Sequence, residues 1–433
     1  MSQLSYLFGL EPIGIKFGLQ NISALLESLG HPERAFAAVH VAGTNGKGSV
    51  TAMIDTALRA DGRRCARYTS PHLVDIRERF VIDGSPVRDD ELDAAIAHVR
   101  GHVDSLRAAG VLDVQPTFFE VTTAVAFELF RRAAVDVAVI EVGLGGRLDA
   151  TNVVTPIVAA ITSIALDHEK YLGHGVGEIA AEKAGIIKRG APVVIGQMEP
   201  DADQVIARVA RARGAELLRA WDGVTAVRLE PDRAGTPGAA GSRQTTRIRL
   251  RTPASDYGEI DLALKGAHQI GNAVVAVRLL ELLGVPTRAI VDGLTRVSWP
   301  GRLEVRRLAD GREIILDAAH NPAGAAALAS YLDEQEGARM PLVFGAMRDK
   351  DVDHMFRVLL PAVGAVVVTR ASNPRAADPM MLAGRVRAIA PRLPVVVEPS
   401  PVDAVAAAWR LAPRVVVAGS IFLLGDVMRE LDR

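Results

Sequence analysis

The chain has 433 residues, 49% of them hydrophobic and 23% charged, with a formal net charge of −1. This length favours two domains, and the near-neutral charge provides no field that would attract nucleic acid or an anionic membrane. The single Cys65 excludes an internal disulfide framework. The first residues show no basic region followed by an apolar stretch, and no apolar run approaches a membrane span, so we expect a cytoplasmic protein. We also expect a monomer that acts on small molecules.

The first informative stretch is Gly43–Ser49, a glycine-rich turn with one lysine and one hydroxyl. Ile22–Leu29 predicts a short helix before it, an apolar run predicts a strand up to it, and Val50–Leu58 has helical spacing after it. A strand, a glycine loop and a helix N-terminus together are typical of a phosphate-binding loop, in which the lysine reaches the outer phosphates.

The spacing of this loop departs from the common pattern. Its residues are Gly43, Thr44, Asn45, Gly46, Lys47, Gly48 and Ser49. Two residues separate the first glycine from the Gly-Lys pair, where the common loop has about four. A further glycine also stands between the lysine and the hydroxyl. The pattern therefore indicates a specialised subtype, in which the serine could offer its hydroxyl to a magnesium ion.

Further strands and helices alternate along the first half of the chain. The predicted strands are Arg64–Tyr68, Phe80–Ile82, Val135–Glu141, Val153–Leu166 and Pro192–Ile195. The predicted helices are Asp89–Ala109, Thr117–Arg132 and Glu178–Ile187. This alternation predicts an α/β fold with a parallel sheet whose chemistry lies at the carboxyl ends of its strands.

Ser70, Glu141 and His168 lie at or just past the ends of predicted strands, at the same edge as the phosphate loop. A glutamate that ends an apolar strand needs a cation or hydrogen bonds, and a paired structural carboxylate is the alternative. A lone histidine is usually structural, so His168 is weaker by itself. Lys183 lies among apolar neighbours, where an unpaired ammonium would be unfavourable if buried; a solvated lysine is the alternative.

The middle of the chain contains a Gly-, Ala- and Pro-rich stretch, Pro231–Arg243, which we interpret as a loop rather than a domain linker. Arg247–Leu250 and Glu259–Leu264 alternate as strands of the same domain, and Gln269–Leu283 predicts a helix. We place the domain boundary at Val297–Gly301, which gives an ATP-binding domain over 1–297 and a second domain over 298–433.

The second domain is predicted to be a smaller, doubly wound Rossmann-like α/β unit. The predicted strands are Glu304–Leu308, Glu313–Leu316, Pro341–Gly345, Ala365–Thr369, Val395–Val397 and Val415–Ala418, with a helix over Ala323–Glu336. Asp317 and His320 lie where a strand meets that helix, at a ligand-binding edge. Arg302 follows the linker and would face the cleft between the domains, where it could hold a phosphate; a solvated charge is the alternative.

Taken together, the motifs resemble the folylpolyglutamate synthase and dihydrofolate synthase family, within the Mur ligase superfamily of ATP-dependent amide ligases. The matching stretches are GTNGKGS at Gly43–Ser49, SPHL at Ser70–Leu73, EVGLGGRLDATN at Glu141–Asn152, SIALDH at Ser163–His168, EKAGIIK at Glu182–Lys188, HQIGN at His268–Asn272, WPGRLE at Trp299–Glu304, DAAHNP at Asp317–Pro322 and GSIFLLGDV at Gly419–Val427. They follow the family's order across nearly the whole chain, and the short phosphate loop is the form expected in this family.

The resemblance implies a role for each matching residue. The phosphate loop would hold the ATP phosphates, while Asn272, Arg302 and Asp317 would bind the rest of the nucleotide. The implied magnesium ligands for two ions are Ser49, Ser70, Glu141 and His168. The lysine that is carbamylated in relatives corresponds to Lys183. The implied acceptor pocket comprises Phe17, Gln20, Thr117, Phe119, Leu148 and Ala150, and the incoming amino acid would lie near His320 and Ser372.

The implied reaction joins L-glutamate to a folate-type carboxylate, either 7,8-dihydropteroate or a tetrahydrofolyl polyglutamate. The carboxylate attacks the γ-phosphate of ATP to form an acyl phosphate and ADP, and the amino group of glutamate then displaces phosphate. Two departures concern the second domain: Ala318 replaces the commoner glycine, and Asn373 replaces the commoner arginine.

Two alternatives remain at this point. A Mur-type ligase acting on a UDP-sugar peptide would share the fold, but the motifs follow the folate branch. A P-loop regulatory switch would need no Arg302, Asp317 or His320 from a second domain.

Overall fold

The computed structural model describes residues 2–14, 16–229, 246–335 and 337–432, and the predicted loop at Pro231–Arg243 lies outside them. The first sheet contains strands β1 (Ala37–Ala42), β2 (Cys65–Tyr68), β3 (Phe80–Ile82), β4 (Ser85–Pro86), β5 (Val137–Glu141), β6 (Val158–Ile161), β7 (Val193–Ile195) and β8 (Leu217–Arg219). The helices of this region are α1 (Gln3–Phe8), α2 (Gln20–Ser28), α3 (Lys47–Ala60), α4 (Asp89–Ala108), α5 (Phe118–Arg132), α6 (Glu169–Leu172), α7 (Val176–Ala184) and α8 (Pro200–Arg213).

The first sheet has the strand order β4-β3-β2-β5-β1-β6-β7-β8. The six strands from β2 to β8 in that order pair in parallel, whereas the β2–β3 and β3–β4 pairings at one edge are antiparallel. β1 lies inside the sheet and is buried on both faces: Val39 and Val41 pack on α3, whereas Ala38 packs toward α5. Its one polar side chain, His40, is buried against the Thr151 hydroxyl at 2.9 Å. The prediction of a parallel α/β sheet is confirmed.

One predicted strand, Val153–Leu166, is wrong at both ends. Ala150–Val153 forms a short 3-10 helix, and β6 covers only Val158–Ile161. Pro156 has no N–H to donate to a ladder and restricts the residue before it. After Ile161 the chain leaves the sheet because its backbone pairs with the phosphate loop: Thr44 N donates to Ser163 O at 2.7 Å.

A second, antiparallel sheet packs on the same core as α3. It contains β9 (Thr225–Arg228), β10 (Thr246–Arg251) and β11 (Asp256–Leu262), and it is followed by α9 (His268–Leu282) and α10 (Thr287–Arg296). Ile248 of β10 and Ile260 of β11 are buried in the hydrophobic cluster that also contains Val50 and Val274. This packing agrees with the prediction that these strands belong to the first half of the chain.

The third sheet forms the second half of the chain. Its strands are β12 (Glu304–Arg307), β13 (Glu313–Leu316), β14 (Pro341–Phe344), β15 (Ala365–Val368), β16 (Val395–Val397) and β17 (Arg414–Ala418). Its helices are α11 (Pro322–Asp333), α12 (Val352–Leu359), α13 (Pro379–Ile389), α14 (Pro401–Leu411) and α15 (Ile421–Leu431).

The strand order of this sheet is β12-β13-β17-β14-β15-β16, with antiparallel pairing of β12 and β13 and parallel pairing elsewhere. Helices α11, α12 and α13 cover one face, and α14 and α15 cover the other. The doubly wound architecture is therefore confirmed. Within the described part of the chain, no helix is both long and apolar enough to cross a membrane.

Candidate active site

A cavity of about 1100 Å³ lies between the first sheet and the second half of the chain. The carboxyl ends of β1, β5 and β6 contribute the phosphate loop, Glu141 and Thr162 to its lining, and the end of β13 contributes Asp317. Parallel strands place their carboxyl ends at one edge, which explains why residues distant in sequence meet here.

The phosphate loop connects β1 to the N-terminus of α3. Gly43 and Gly46 have φ angles of 148° and 84°, a region that favours glycine. A Cβ at Gly43 would overlap the Thr162 hydroxyl. Lys47 Nζ donates to the carbonyl oxygens of Gly43 and Thr44, each at 3.1 Å. Burial lowers the pKa of Lys47, an effect that the negative charges of Glu141 and Asp167 oppose.

Helix α9 packs against this loop. Asn272 lies so close to Gly46 that a Cβ there would overlap its side-chain oxygen. Gln269 Nε2 donates to Ser49 Oγ at 3.2 Å, and Asn272 Nδ2 donates to Gln269 Oε1 at 2.9 Å. Gln269 belongs to the HQIGN motif, but no sequence pattern predicts its contact with Ser49.

The four predicted magnesium ligands, Ser49, Ser70, Glu141 and His168, all line the cavity. Glu141 is 5% exposed, and the one hydrogen bond to its carboxylate within the described residues is from Ser70 N at 3.3 Å. Burial raises the pKa of Glu141, partly offset by the charge of Lys47. A buried carboxylate without a close cation is suited to a metal ion, and hydroxyl and carboxylate oxygens are donors that Mg²⁺ prefers.

His168 completes this edge. Burial lowers the pKa of His168 to about 4, so its imidazole is neutral near pH 7 and can act as a ligand. Among the described residues, no group of three or more His, Cys, Asp or Glu side chains could hold a metal by itself. The predicted set contains only two such residues, so phosphate or water oxygens would have to complete the coordination.

Asp167 joins the two halves of the chain, a role that no sequence pattern indicated. Lys350 Nζ lies 2.6 Å from Asp167 Oδ1, and Asn321 Nδ2 donates to Asp167 Oδ2 at 3.0 Å. Asn321 also donates to the side-chain oxygen of Asn45 in the phosphate loop at 3.0 Å. Burial alone would raise the pKa of Asp167, but His320 and Lys350 hold it well below its usual range.

The second half of the chain contributes Arg302, Asp317 and His320 to the cavity. Asp317 accepts hydrogen bonds from Leu303 N and Ala319 N, both at 2.9 Å, and burial raises its pKa although Arg302 opposes the shift. The Nδ1 of His320 is 2.8 Å from Ala318 O, which can only accept, so Nδ1 carries a proton.

Lys183 is 4% exposed and lines the cavity from α7. Its Nζ donates to Gly43 O at 2.9 Å. Burial, and to a smaller extent the charge of Lys47, lowers the pKa of Lys183 to about 7. The amine is therefore substantially neutral at physiological pH, unlike a solvated lysine.

Most, but not all, of the residues predicted to bind the acceptor or the incoming amino acid line the cavity. Those that line the cavity are Phe17, Thr117, Phe119, Leu148 and Ala150. Thr117 also caps α5 by accepting from Glu120 N at 3.2 Å. Gln20 and Ser372 are not among the described residues that line the cavity. The Gln20 side chain packs against Gly18, and Ser372 Oγ donates to Asp426 at 2.6 Å.

Two family descriptions match this chain: Mur ligase middle domain over residues 110–280, and Mur ligase, glutamate ligase domain over residues 301–421. A Bacillus subtilis dihydrofolate synthase/folylpolyglutamate synthase is 36% identical over 380 residues, which cover 86% of this chain and 85% of that protein. A probable bifunctional folylpolyglutamate synthase/dihydropteroate synthase of Haloferax volcanii is 38% identical over 88% of this chain, and the match covers only 44% of its own length.

Solved structures agree with these relatives. Mycobacterium tuberculosis folylpolyglutamate synthase complexed with ADP superimposes with a TM-score of 0.90 at 35% identity, covering 100% of this chain and 99% of that one. Escherichia coli FolC in complex with DHPP and ADP gives a TM-score of 0.86 at 30% identity, covering 100% and 98%. The chain therefore belongs to the folylpolyglutamate synthase/dihydrofolate synthase family of ATP-dependent ligases built on Mur ligase domains.

Proposed function

We propose that the protein joins L-glutamate to the carboxylate of a folate-type acceptor, 7,8-dihydropteroate or a tetrahydrofolyl polyglutamate, with cleavage of ATP to ADP and phosphate. The observation that carries this proposal is the composition of the cavity. The phosphate loop and the aromatic side chains of Phe17 and Phe119 line the same cavity as Arg302 and His320 from the second half of the chain. A switch protein would not need this second set of residues.

ATP would be held by residues Gly43 to Ser49, with Asn272, Arg302 and Asp317 contacting the remainder of the nucleotide. Lys47 would release its loop carbonyls and neutralise phosphate oxygens, because a charged donor binds phosphate more strongly than a neutral carbonyl. The acceptor carboxylate attacks the γ-phosphate and forms an acyl phosphate with departure of ADP. The amino group of glutamate attacks the acyl carbon, and inorganic phosphate leaves with the C–O bond electrons.

Mg²⁺, which we propose binds as two ions at Ser49, Ser70, Glu141 and His168, would supply charge neutralisation at the phosphate oxygens. The protein's own part is to hold these donors at the cavity edge before the nucleotide arrives. Ser49 is fixed by Gln269, and Glu141 by Ser70 N.

Lys183 is proposed to be carbamylated, because its lowered pKa leaves a nucleophilic amine at neutral pH. The amine would form a bond to the carbon of CO₂, lose one proton and become an anionic carbamate. That charge would be favoured beside Lys47 and the metal ions, whereas a second ammonium would be repelled. An unmodified amine in a high-resolution density map would remove this part of the proposal.

Glutamate is proposed to bind near His320, with Ser372 and its neighbours at the approach to the cavity. Arg375, three residues beyond Ser372, already lines the cavity. Ser372 itself would have to exchange its bond with Asp426 to reach a ligand, so we expect a smaller effect from Ser372→Ala than from His320→Ala.

The domain boundary is proposed at residues 297/298, in the segment between α10 and β12 that has no helix or strand. Val297–Gly301 would act as a hinge, and closure would exclude water that could hydrolyse the acyl phosphate. Small-angle X-ray scattering that is unchanged by ATP, Mg²⁺ and acceptor together would count against closure. We further propose a cytoplasmic monomer, in keeping with the free, buried Cys65.

The test is phosphate release from ATP and Mg²⁺, with acceptor and L-glutamate supplied separately and together. A ligase releases phosphate efficiently only when both are present, and mass spectrometry of the products with each acceptor shows how many glutamates were added. Turnover that requires neither substrate would instead support the switch alternative, and use of a UDP-sugar peptide would support the Mur-type alternative.

A further inference from the structure

Arg79 is a buried guanidinium without a carboxylate partner among the described residues. The residue is 7% exposed, and it lines the cavity beside Phe118 and His72. Arg278, the other arginine among the buried residues described, forms an ion pair with Glu281 at 2.5 Å. A buried charge without a partner destabilises a folded protein by about 3–5 kcal/mol. The presence of such a charge at Arg79 therefore needs a physical explanation.

The protein groups that contact Arg79 are neutral. Its Nε donates to His72 Nδ1 at 2.9 Å, so that ring nitrogen carries a lone pair rather than a proton. Its guanidinium carbon lies 5.2 Å from the centroid of the Phe118 ring. The Tyr68 hydroxyl lies within hydrogen-bonding reach of Arg79 and also contacts the hydroxyls of two threonines of α5. Glu11 and Glu141 attract Arg79 only from beyond ion-pair distance.

The remaining part of the guanidinium opens on the cavity. Nε is used by His72, whereas Nη1 and Nη2 have no carboxylate or carbonyl partner within the described residues. Arg79 lines the cavity and forms no ion pair within the described residues, so its guanidinium can reach a ligand bound there. Two parallel N–H groups on a planar fork match the two oxygens of a carboxylate.

We propose that Arg79 binds a carboxylate of the acceptor substrate through its two Nη groups. The inference rests on the proposed function, since it concerns the acceptor end of the same cavity. Dihydropteroate has one carboxylate, the one that reacts, whereas a glutamylated folate adds the α-carboxylates of its glutamyl residues. The guanidinium suits either source, and the two acceptors distinguish them.

Equilibrium binding by isothermal titration calorimetry, with no ATP present, tests the proposal without catalysis. The ligands are dihydropteroate, tetrahydrofolate monoglutamate, and an analogue of each in which every carboxylate is a neutral amide. The variants are Arg79→Gln, Arg79→Lys and the control Arg77→Gln. Arg77 lies on the same 3-10 helix, outside the cavity lining, and pairs with Asp75 at 2.7 Å.

We expect Arg79→Gln to weaken carboxylate acceptors about 10–100-fold, the range for hydrogen bonds to a charged group. The amide analogues should bind wild type and Arg79→Gln with equal affinity. They have no carboxylate for Arg79 to bind, so removing the guanidinium takes nothing from them. Arg79→Lys keeps the charge and contact with Phe118 but loses the fork, so its affinity should be intermediate. Arg77→Gln should bind as wild type does.

Weakening confined to the glutamylated acceptor assigns the α-carboxylate, and weakening with both acceptors assigns the reacting carboxylate. The proposal is overturned if Arg79→Gln binds the acceptors as tightly as wild type does. It is also overturned if the substitution weakens the binding of carboxylate and amide ligands by the same factor, which is the result expected if Arg79 only supports the local structure. An unchanged ADP affinity establishes that a variant is folded. If wild type itself binds and ligates no folate-type acceptor, the proposed function fails instead.

Discussion

The ion pair between Lys350 and Asp167 connects the two halves of the cavity, and Lys350→Met removes one of its charges while keeping an unbranched side chain. Asp167 follows β6 of the first sheet, and Lys350 lies between β14 and α12 of the third. In the variant Asp167 would keep neutral donors, the backbone N–H of His168 at 2.8 Å and the amide of Asn321 at 3.0 Å, with His320 at 3.6 Å.

The geometry sets the size of the effect. The two charged atoms are 2.6 Å apart, and the side chains are 9% and 8% exposed. Coulomb's law at an effective dielectric constant of about 20 gives roughly 6 kcal/mol of attraction, which desolvation largely offsets. Removing one partner of a buried pair costs about 3–5 kcal/mol. We expect about 3 kcal/mol for Lys350→Met, because Asn321 still donates to Asp167.

The assay is urea unfolding of wild type, Lys350→Met, Asp167→Asn and the double variant, without nucleotide or metal. The double variant buries no unpaired charge, so it should be more stable than the sum of the single effects predicts, by at least about 1.5 kcal/mol. Small-angle X-ray scattering supplies a second measurement: Lys350→Met should have a larger radius of gyration, because the pair holds two separately folded sheets together.

The matched control is the exposed pair Arg385–Asp353, at 3.1 Å with 56% and 42% exposure. Its own double-variant cycle should give a coupling of at most about 1 kcal/mol. The reasoning is refuted if the Lys350–Asp167 coupling is no larger than that of the control, since burial would then have added nothing.

Three further predictions concern the phosphate loop and the buried charges. Gly46→Ala should weaken ADP binding about tenfold or more, because an L-residue in this left-handed conformation costs about 1–2 kcal/mol and its Cβ overlaps Asn272; an unchanged calorimetric Kd would contradict this. Glu141→Gln should lower Mg²⁺-dependent ligation by at least ~100-fold. Without metal, the same variant should be more stable than wild type at pH 7, because the raised pKa of Glu141 shows that its buried anion is unfavourable. A variant less stable than wild type would contradict this reasoning. Burial lowers the pKa of Lys183 from 10.5 to about 7, so the unfolded chain binds more protons across that interval and wild-type stability rises with pH there. Lys183→Met should lack this contribution, about 2 kcal/mol between about pH 7 and pH 9 in bicarbonate-free urea titrations, and identical pH slopes would exclude it.

Local patterns made most of the architecture predictable. The glycine spacing of the phosphate loop is a motif visible in one short stretch, and the alternation of buried strands with amphipathic helices predicted both α/β sheets. A strand boundary was wrong where a segment distant in sequence forms the backbone hydrogen bonds that a neighbouring strand was expected to form. The predicted strand after Pro156 is too long, because nothing in residues 162 to 166 indicates that this segment bonds to Thr44 rather than to a neighbouring strand.

The sequence predicts the candidate residues that lie within a recognisable motif. It does not predict the contacts made between the two halves of the chain. The sequence alone points to Lys47, Glu141, His168 and Lys183 as candidates, because a glycine loop, strand ends and family motifs are visible in one dimension. Only the tertiary structure joined Lys350 to Asp167 across 183 residues, and Gln269 to Ser49 across 220. It also showed that Arg79 has no carboxylate partner among the residues it describes. Such pairings depend on how separately formed sheets dock, and the free energy of docking is spread over many distant contacts that no local pattern encodes.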